Sequence, residues 1–199
     1  MSSFSTNYIQ ELIDTLRIFP HKQFEKMIST LIEAYKMNHT IFVMGNGGSG
    51  ATASHWACDI NKGCSFVRDK KFRMMCLNDN VATILAYAND VSYDDVFVEQ
   101  LKNFFNSGDI VIGISGSGNS TNVLKAIQYA NKHGGITIGL CGFNGGKLHK
   151  FVDIPLLAKI HDMQKVEDMH TIITHMAMQR VCQLLDNYQP VELIHEATA

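Results

Sequence analysis

Apolar residues recur along this chain in two patterns that alternate, and the alternation predicts its architecture. Over residues 8–19, Ile9, Leu12, Ile13 and Leu16 fall three or four apart, the spacing of one helix face, and Pro20 ends the run. Phe24, Met27, Ile28, Leu31, Ile32 and Tyr35 mark a second helix over 23–37, with an apolar stripe broader than one core contact requires. Two leading helices of this kind either cover the sheet of their own chain or pack on another subunit. From there, continuous apolar and β-branched runs at 40–44, 72–77, 109–114, 136–140 and 152–157 read as buried strands, with Pro155 suited to an edge. Between them lie helical patterns after Ser49, over 81–89, over 96–105, from Ser120 onward and over 163–185, while 89–95 is polar and reads as a loop. Strands that alternate with helices predict an α/β fold whose parallel sheet is covered on both faces.

Composition bounds the reading. With 199 residues, 46% hydrophobic and 18% charged, the chain suits a single domain over 1–199 with a full core. A net charge of −2 gives no reason to expect nucleic-acid binding. No apolar stretch approaches the ~20 residues that cross a bilayer, so no membrane partner is expected. The start lacks the basic and apolar regions of a signal peptide, which places the protein in the cytoplasm. Cys58, Cys64, Cys76, Cys141 and Cys182 are odd in number and unpaired in spacing, which predicts reduced, mostly buried thiols.

The chemistry gathers where strands turn into helices. Ser115, Gly116, Ser117 and Ser120 lie between a strand's carboxyl end and a helix amino terminus, where unpaired N–H groups and the helix dipole favour an anion. An ordinary turn capped by Asn119 or Ser120 fits the same residues. Asn46, Gly47, Gly48 and Ser49 repeat the arrangement after the first strand. Their spacing matches neither a dinucleotide glycine motif nor a lysine-bearing phosphate loop, so NAD and ATP are discounted in favour of a small anion or a sugar hydroxyl. Ligands of such sheets bind beyond the strands' carboxyl ends. Asp90 either faces this site or caps a helix.

His55 and Asp59, four residues apart, share one helix face and can hold one zinc ion. The closing helix carries Glu167, Asp168, His170 and His175 within an apolar pattern, and for His170 a hydrogen-bonded core or interface role is the expectation. Glu167 and His175 would complete a mixed nitrogen and oxygen set. Eight positions on one helix span about 12 Å, a strained reach for one ion that a neighbouring chain would relieve.

The segments 45–49 and 113–120, with the closing helix that bears Glu167 and His175, together resemble the sugar isomerase (SIS) family, its phosphoheptose isomerase branch in particular. The likeness covers nearly the whole chain. It implies a flavodoxin-like three-layer sandwich with a five-stranded parallel sheet, and a homotetramer with sites at subunit boundaries. It implies conversion of sedoheptulose 7-phosphate into D-glycero-D-manno-heptose 7-phosphate or a close epimer, a step of heptose biosynthesis, through an enediol. It also implies zinc at the positions of His55, Asp59, Glu167 and His175. Asp59 and His175 are the candidate acid and base, with ligand and base roles competing at Asp59.

Departures from the family pattern are equally specific. Asp59 stands for a glutamate, Glu167 for a glutamine, Gly116 for a threonine and Gln164 for an aspartate, and an arginine is missing near Lys62 and Gly63. They bear on the identity of the sugar more than on the fold. The alternative function is a non-catalytic SIS module that binds a sugar phosphate or a protein partner, as replication-initiator-associating relatives do; retention of His55 and His175 speaks against it.

Overall fold

A computed structural model describes residues 3–186, so the domain read over 1–199 runs past the described residues at both ends. Strands β1 (Ile41–Gly45), β2 (Met74–Cys76), β3 (Ile110–Ser115), β4 (Ile136–Gly142) and β5 (Ile154–Ala158) form one parallel sheet in the order β2-β1-β3-β4-β5. Ile110 of β3 pairs with Ile41 on one side and Ile136 on the other, which puts three β-branched residues abreast at the sheet's centre. Side chains alternate between faces as the pleat requires. Ile41 and Val43 enter one core with Trp56, Ile60, Met27 and Ile173, while Phe42 and Met44 enter the other with Phe97, Leu101 and Ile127.

Helices α1 (Phe4–Arg17), α2 (His21–Met37), α3 (Gly47–Cys58) and α8 (Met163–Asp186) belong to the first face, and α4 (Val81–Asp90), α5 (Val96–Phe104) and α6 (Thr121–Lys132) to the second. The result is the flavodoxin-like three-layer sandwich. From β1 the chain moves outward to β2 and then returns across β1 to β3, so strand order reverses between β1 and β3. Loops leaving these two strands diverge to opposite faces and open a crevice between them. Both glycine turns flank it.

Some elements differ from the sequence reading. Only three residues of the run at 72–77, Met74–Cys76, pair as a strand, at the edge beside β1. Helix α3 continues into a π-helical turn, Asp59–Gly63, closed by the Cys64 N–H on the Asp59 carbonyl at 3.3 Å. The polar stretch after α4 holds a short 3-10 turn, Tyr93–Asp95, and a one-turn helix α7 (Leu148–Phe151) precedes β5.

The two leading helices part company. Phe24, Met27, Ile28 and Leu31 of α2 are buried within their own chain, so its broad stripe covers the sheet. Helix α1 leaves Phe4, Ile9 and Ile13 in solvent. It is fastened to α8 by polar contacts: Lys165 Nζ donates to Glu11 at 2.8 Å, and the Tyr8 hydroxyl donates to Asp168 at 2.7 Å.

Candidate active site

The crevice holds a cleft of about 290 Å³ lined by Asn46, Gly47, Gly48, Ser49, Ser115, Gly116, Ser117 and Ser120, together with Met163 and Glu167 of α8. The two turns predicted to hold an anion therefore face one space. Asn46 and Ser120 are the N-caps of α3 and α6, yet neither side chain makes a capping hydrogen bond. Ser120 Oγ instead lies 3.0 Å from Ser115 Oγ. The Ser120 hydroxyl is thus turned to Ser115 rather than to its helix, and the Val123 N–H is taken by Asn122 Oδ1 at 2.9 Å.

Residues outside the motifs hold these turns in place. Asn46 and the buried Asn122 exchange reciprocal amide hydrogen bonds of 3.0 and 2.9 Å, and the Tyr93 hydroxyl donates to Asn46 at 2.9 Å. Sequence reasoning missed both partners. A lone asparagine among the apolar positions opening α6 is the signal that marked Asn122. Asn78 braces the end of β1, accepting from the Gly45 N–H at 3.2 Å and donating to its carbonyl at 2.7 Å. The serine turn rests on the loop after β4, through Leu148 N–H to the Gly118 carbonyl at 2.9 Å and Gly142 N–H to the Gly116 carbonyl at 2.8 Å. Gly118 has φ +67°, and a Cβ there would stand 2.0 Å from the Gly145 carbonyl oxygen, so only glycine fits. At Gly116 a Cβ would meet Met163 Sδ at 2.5 Å; methionine fills the space that the family's threonine needs.

Along α3 and α8 a second group assembles. His55 Nε2 lies 3.5 Å and His175 Nε2 3.9 Å from Asp59 Oδ2, with the two imidazole rings 5.1 Å apart and steeply inclined. One donor atom from each residue fits within 4.8 Å of the others. Two imidazoles and a carboxylate are the donor set of a three-ligand zinc site that leaves a position open. Glu167 does not join them. Its carboxylate packs on Gly48, where a Cβ would meet it at 2.6 Å, and so borders the serine cleft about two helical turns from His175. In this structure the group within reach of one centre is His55, Asp59 and His175, while the ~12 Å rise between Glu167 and His175 along α8 leaves Glu167 at the cleft.

Two other predicted residues lie elsewhere. Asp90, exposed at the end of α4, accepts from Asn89 Nδ2 at 2.7 Å and borders a separate hollow with Thr83 and Tyr87; the serine cleft does not include it. Gln164 is exposed on the first turn of α8, where its neighbours Met163 and Glu167 reach the cleft instead. His170 is buried with neither ring nitrogen in a well-formed hydrogen bond. Burial holds it near pKa 4, against a weak contact with the Cys141 backbone, so it is a neutral core group.

Residues 6–142 match the SIS domain family. The chain belongs to that family. Over 179 residues it is 35% identical to the phosphoheptose isomerase of Aliarcobacter butzleri, covering 90% of each chain. It is 34% identical to that of Trichlorobacter lovleyi over 94% of each. Relatives this similar along nearly their whole length place it among the phosphoheptose isomerases of the family. A phosphoheptose isomerase structure from Francisella tularensis superposes with a TM-score of 0.84 at 26% identity, over 90% of this chain and 95% of the other. The enzyme from Neisseria gonorrhoeae shares the fold, with a TM-score of 0.81 at 24% identity over 88% and 93%.

Proposed function

We propose that the protein is an aldose-ketose isomerase of phosphosugars, acting on sedoheptulose 7-phosphate to give D-glycero-D-manno-heptose 7-phosphate or a close epimer. One observation carries this: the cleft bordered by the start of α3 and by Met163 and Glu167 of α8 lies beside a His55, Asp59 and His175 cluster drawn from α3, the turn that continues it, and α8. Seven residues of α3 separate Gly48 from His55, about 10 Å of helix. That span suits an open-chain sugar with a phosphate at one end and a carbonyl near the other.

The chain's own groups divide the work. Hydroxyls of Ser115, Ser117 and Ser120 and the N–H groups opening α3 and α6 hold the phosphate, which takes no part in the chemistry. Asp59 takes the proton from the carbon beside the carbonyl, and His175, in contact with it, returns a proton to the neighbouring centre. His55 orients the shared Asp59 oxygen. A zinc ion held by His55, Asp59 and His175 would supply Lewis-acid polarisation of the sugar's oxygens, raising the acidity of the reacting carbon, and would compete with the proton-transfer roles of Asp59 and His175, which use the same atoms. A non-catalytic module is not favoured, since relatives covering 90% or more of both chains carry the isomerase name.

The working form is a homotetramer in the cytoplasm. Exposed Phe4 and Ile9 on α1, and Val81 and Leu85 on α4, support subunit contacts. No helix among the described residues is long and apolar enough to cross a membrane. The test is a panel of ketose phosphates assayed with zinc and with a chelator. Turnover of sedoheptulose 7-phosphate that falls on chelation is the expected result; no turnover of any member of the zinc-loaded panel overturns the proposal.

A further inference from the structure

All five cysteines lie among the described residues, and two of them meet. Cys64 Sγ and Cys182 Sγ are 2.9 Å apart and fully buried, although 118 positions separate them in sequence. A thiol is a weak donor and a weak acceptor, so this contact gains little as a hydrogen bond. The sulfurs are already within about an ångström of bonding distance, ~2.05 Å. The other three cysteines show no such pairing: Cys76 and Cys141 contact oxygen acceptors at 3.7 Å, and Cys58 is exposed.

Their positions give the contact a consequence. Cys64 closes the π-helical turn that begins at Asp59, donating its N–H to the Asp59 and Ile60 carbonyls. Cys182 lies on α8, two helical turns beyond His175. We infer that Cys64 and Cys182 form a reversible intrachain disulfide, an oxidation site that ties the turn carrying Asp59 to the helix carrying His175.

Hydrogen peroxide is the oxidant class that balances the step. One thiol takes an oxygen from peroxide to become a sulfenic acid and releases water. The second thiol then attacks that sulfur, forming the S–S bond and releasing a second water. A dithiol reductant reverses it by thiol-disulfide exchange. The contact with Cys182, and burial after it, push the Cys64 thiol up from its ordinary pKa, so reaction is slow and proceeds through opening of the segment after the turn, whose Phe66 and Val67 already lie in solvent.

The experiment treats the full-length protein with peroxide, alkylates it after unfolding, and reads intact mass, a peptide map and the melting temperature. Expected are the loss of two hydrogens, a crosslinked peptide joining Cys64 to Cys182, and a melting temperature higher by roughly 5–10 °C, all reversed by a dithiol. Cys182→Ala should abolish the crosslink and the shift. Oxygen addition or intermolecular crosslinking at Cys58, with Cys64 and Cys182 both still alkylated, overturns the inference. The wild-type map decides this without any variant having to fold, and none of these readouts depends on isomerase activity.

Discussion

Asp59 presents one carboxylate oxygen to two imidazoles, so base strength and any metal ligation depend on the same atom. Asp59→Asn keeps the shape and removes the charge. Turnover of sedoheptulose 7-phosphate should drop by about 10²–10⁴ in kcat, measured by coupled assay at saturating zinc. Glu167 acts on the phosphate end. Its carboxylate borders the anion cleft, where it repels a phosphate dianion, and Glu167→Gln should lower KM by up to about tenfold with a smaller change in kcat. His170 affects the fold alone. Its folded pKa near 4 lies below the ordinary value of 6.5, so between these pH values the unfolded chain binds more protons and stability falls as pH falls. The loss should reach up to about 3 kcal/mol by pH 4. Urea unfolding at pH 7 and pH 4.5 measures it, and His170→Leu should flatten the difference.

Strand and helix periodicity made most elements legible, and departures arise where tertiary contacts overrule local pattern. β2 keeps only three residues of its apolar run in register with β1. The π-helical turn after α3 has no signature in the residues 59–63; packing of Ile60 into the core beneath α8 accompanies it. The serine turn was readable as a strand-to-helix turn, but its support was not, since Gly118 and Gly145 are 27 positions apart and meet only in the folded chain. Gly118→Ala would drive a Cβ into the Gly145 carbonyl at a positive φ. We expect a loss of about 1–3 kcal/mol in stability by denaturant titration, with weaker binding of inorganic phosphate by calorimetry.

At the scale of the molecule, α4 packs Ile84, Tyr87 and Ala88 part-buried on the second core and leaves further apolar residues on its outer side uncovered. Val81 and Leu85 are each more than 60% exposed. A patch of this kind calls for a covering surface. Leu85→Glu should therefore shift the particle from a multiple of the 22.2 kDa chain toward a smaller species, read by light scattering on a sizing column. Unchanged mass would place the subunit contacts elsewhere.

Taken by itself, the sequence determined the parallel α/β sandwich and the strand-glycine-helix order of its two turns, because periodicity and turn composition are local properties. It also singled out His55 and Asp59, whose i, i+4 spacing is settled within one helix. Only the tertiary structure decided that His175 joins that pair while Glu167, on the same helix, borders the phosphate cleft. Helix rise separates those two residues by about 12 Å, and the packing of α8 against α3 brings His175 beside His55 and Asp59.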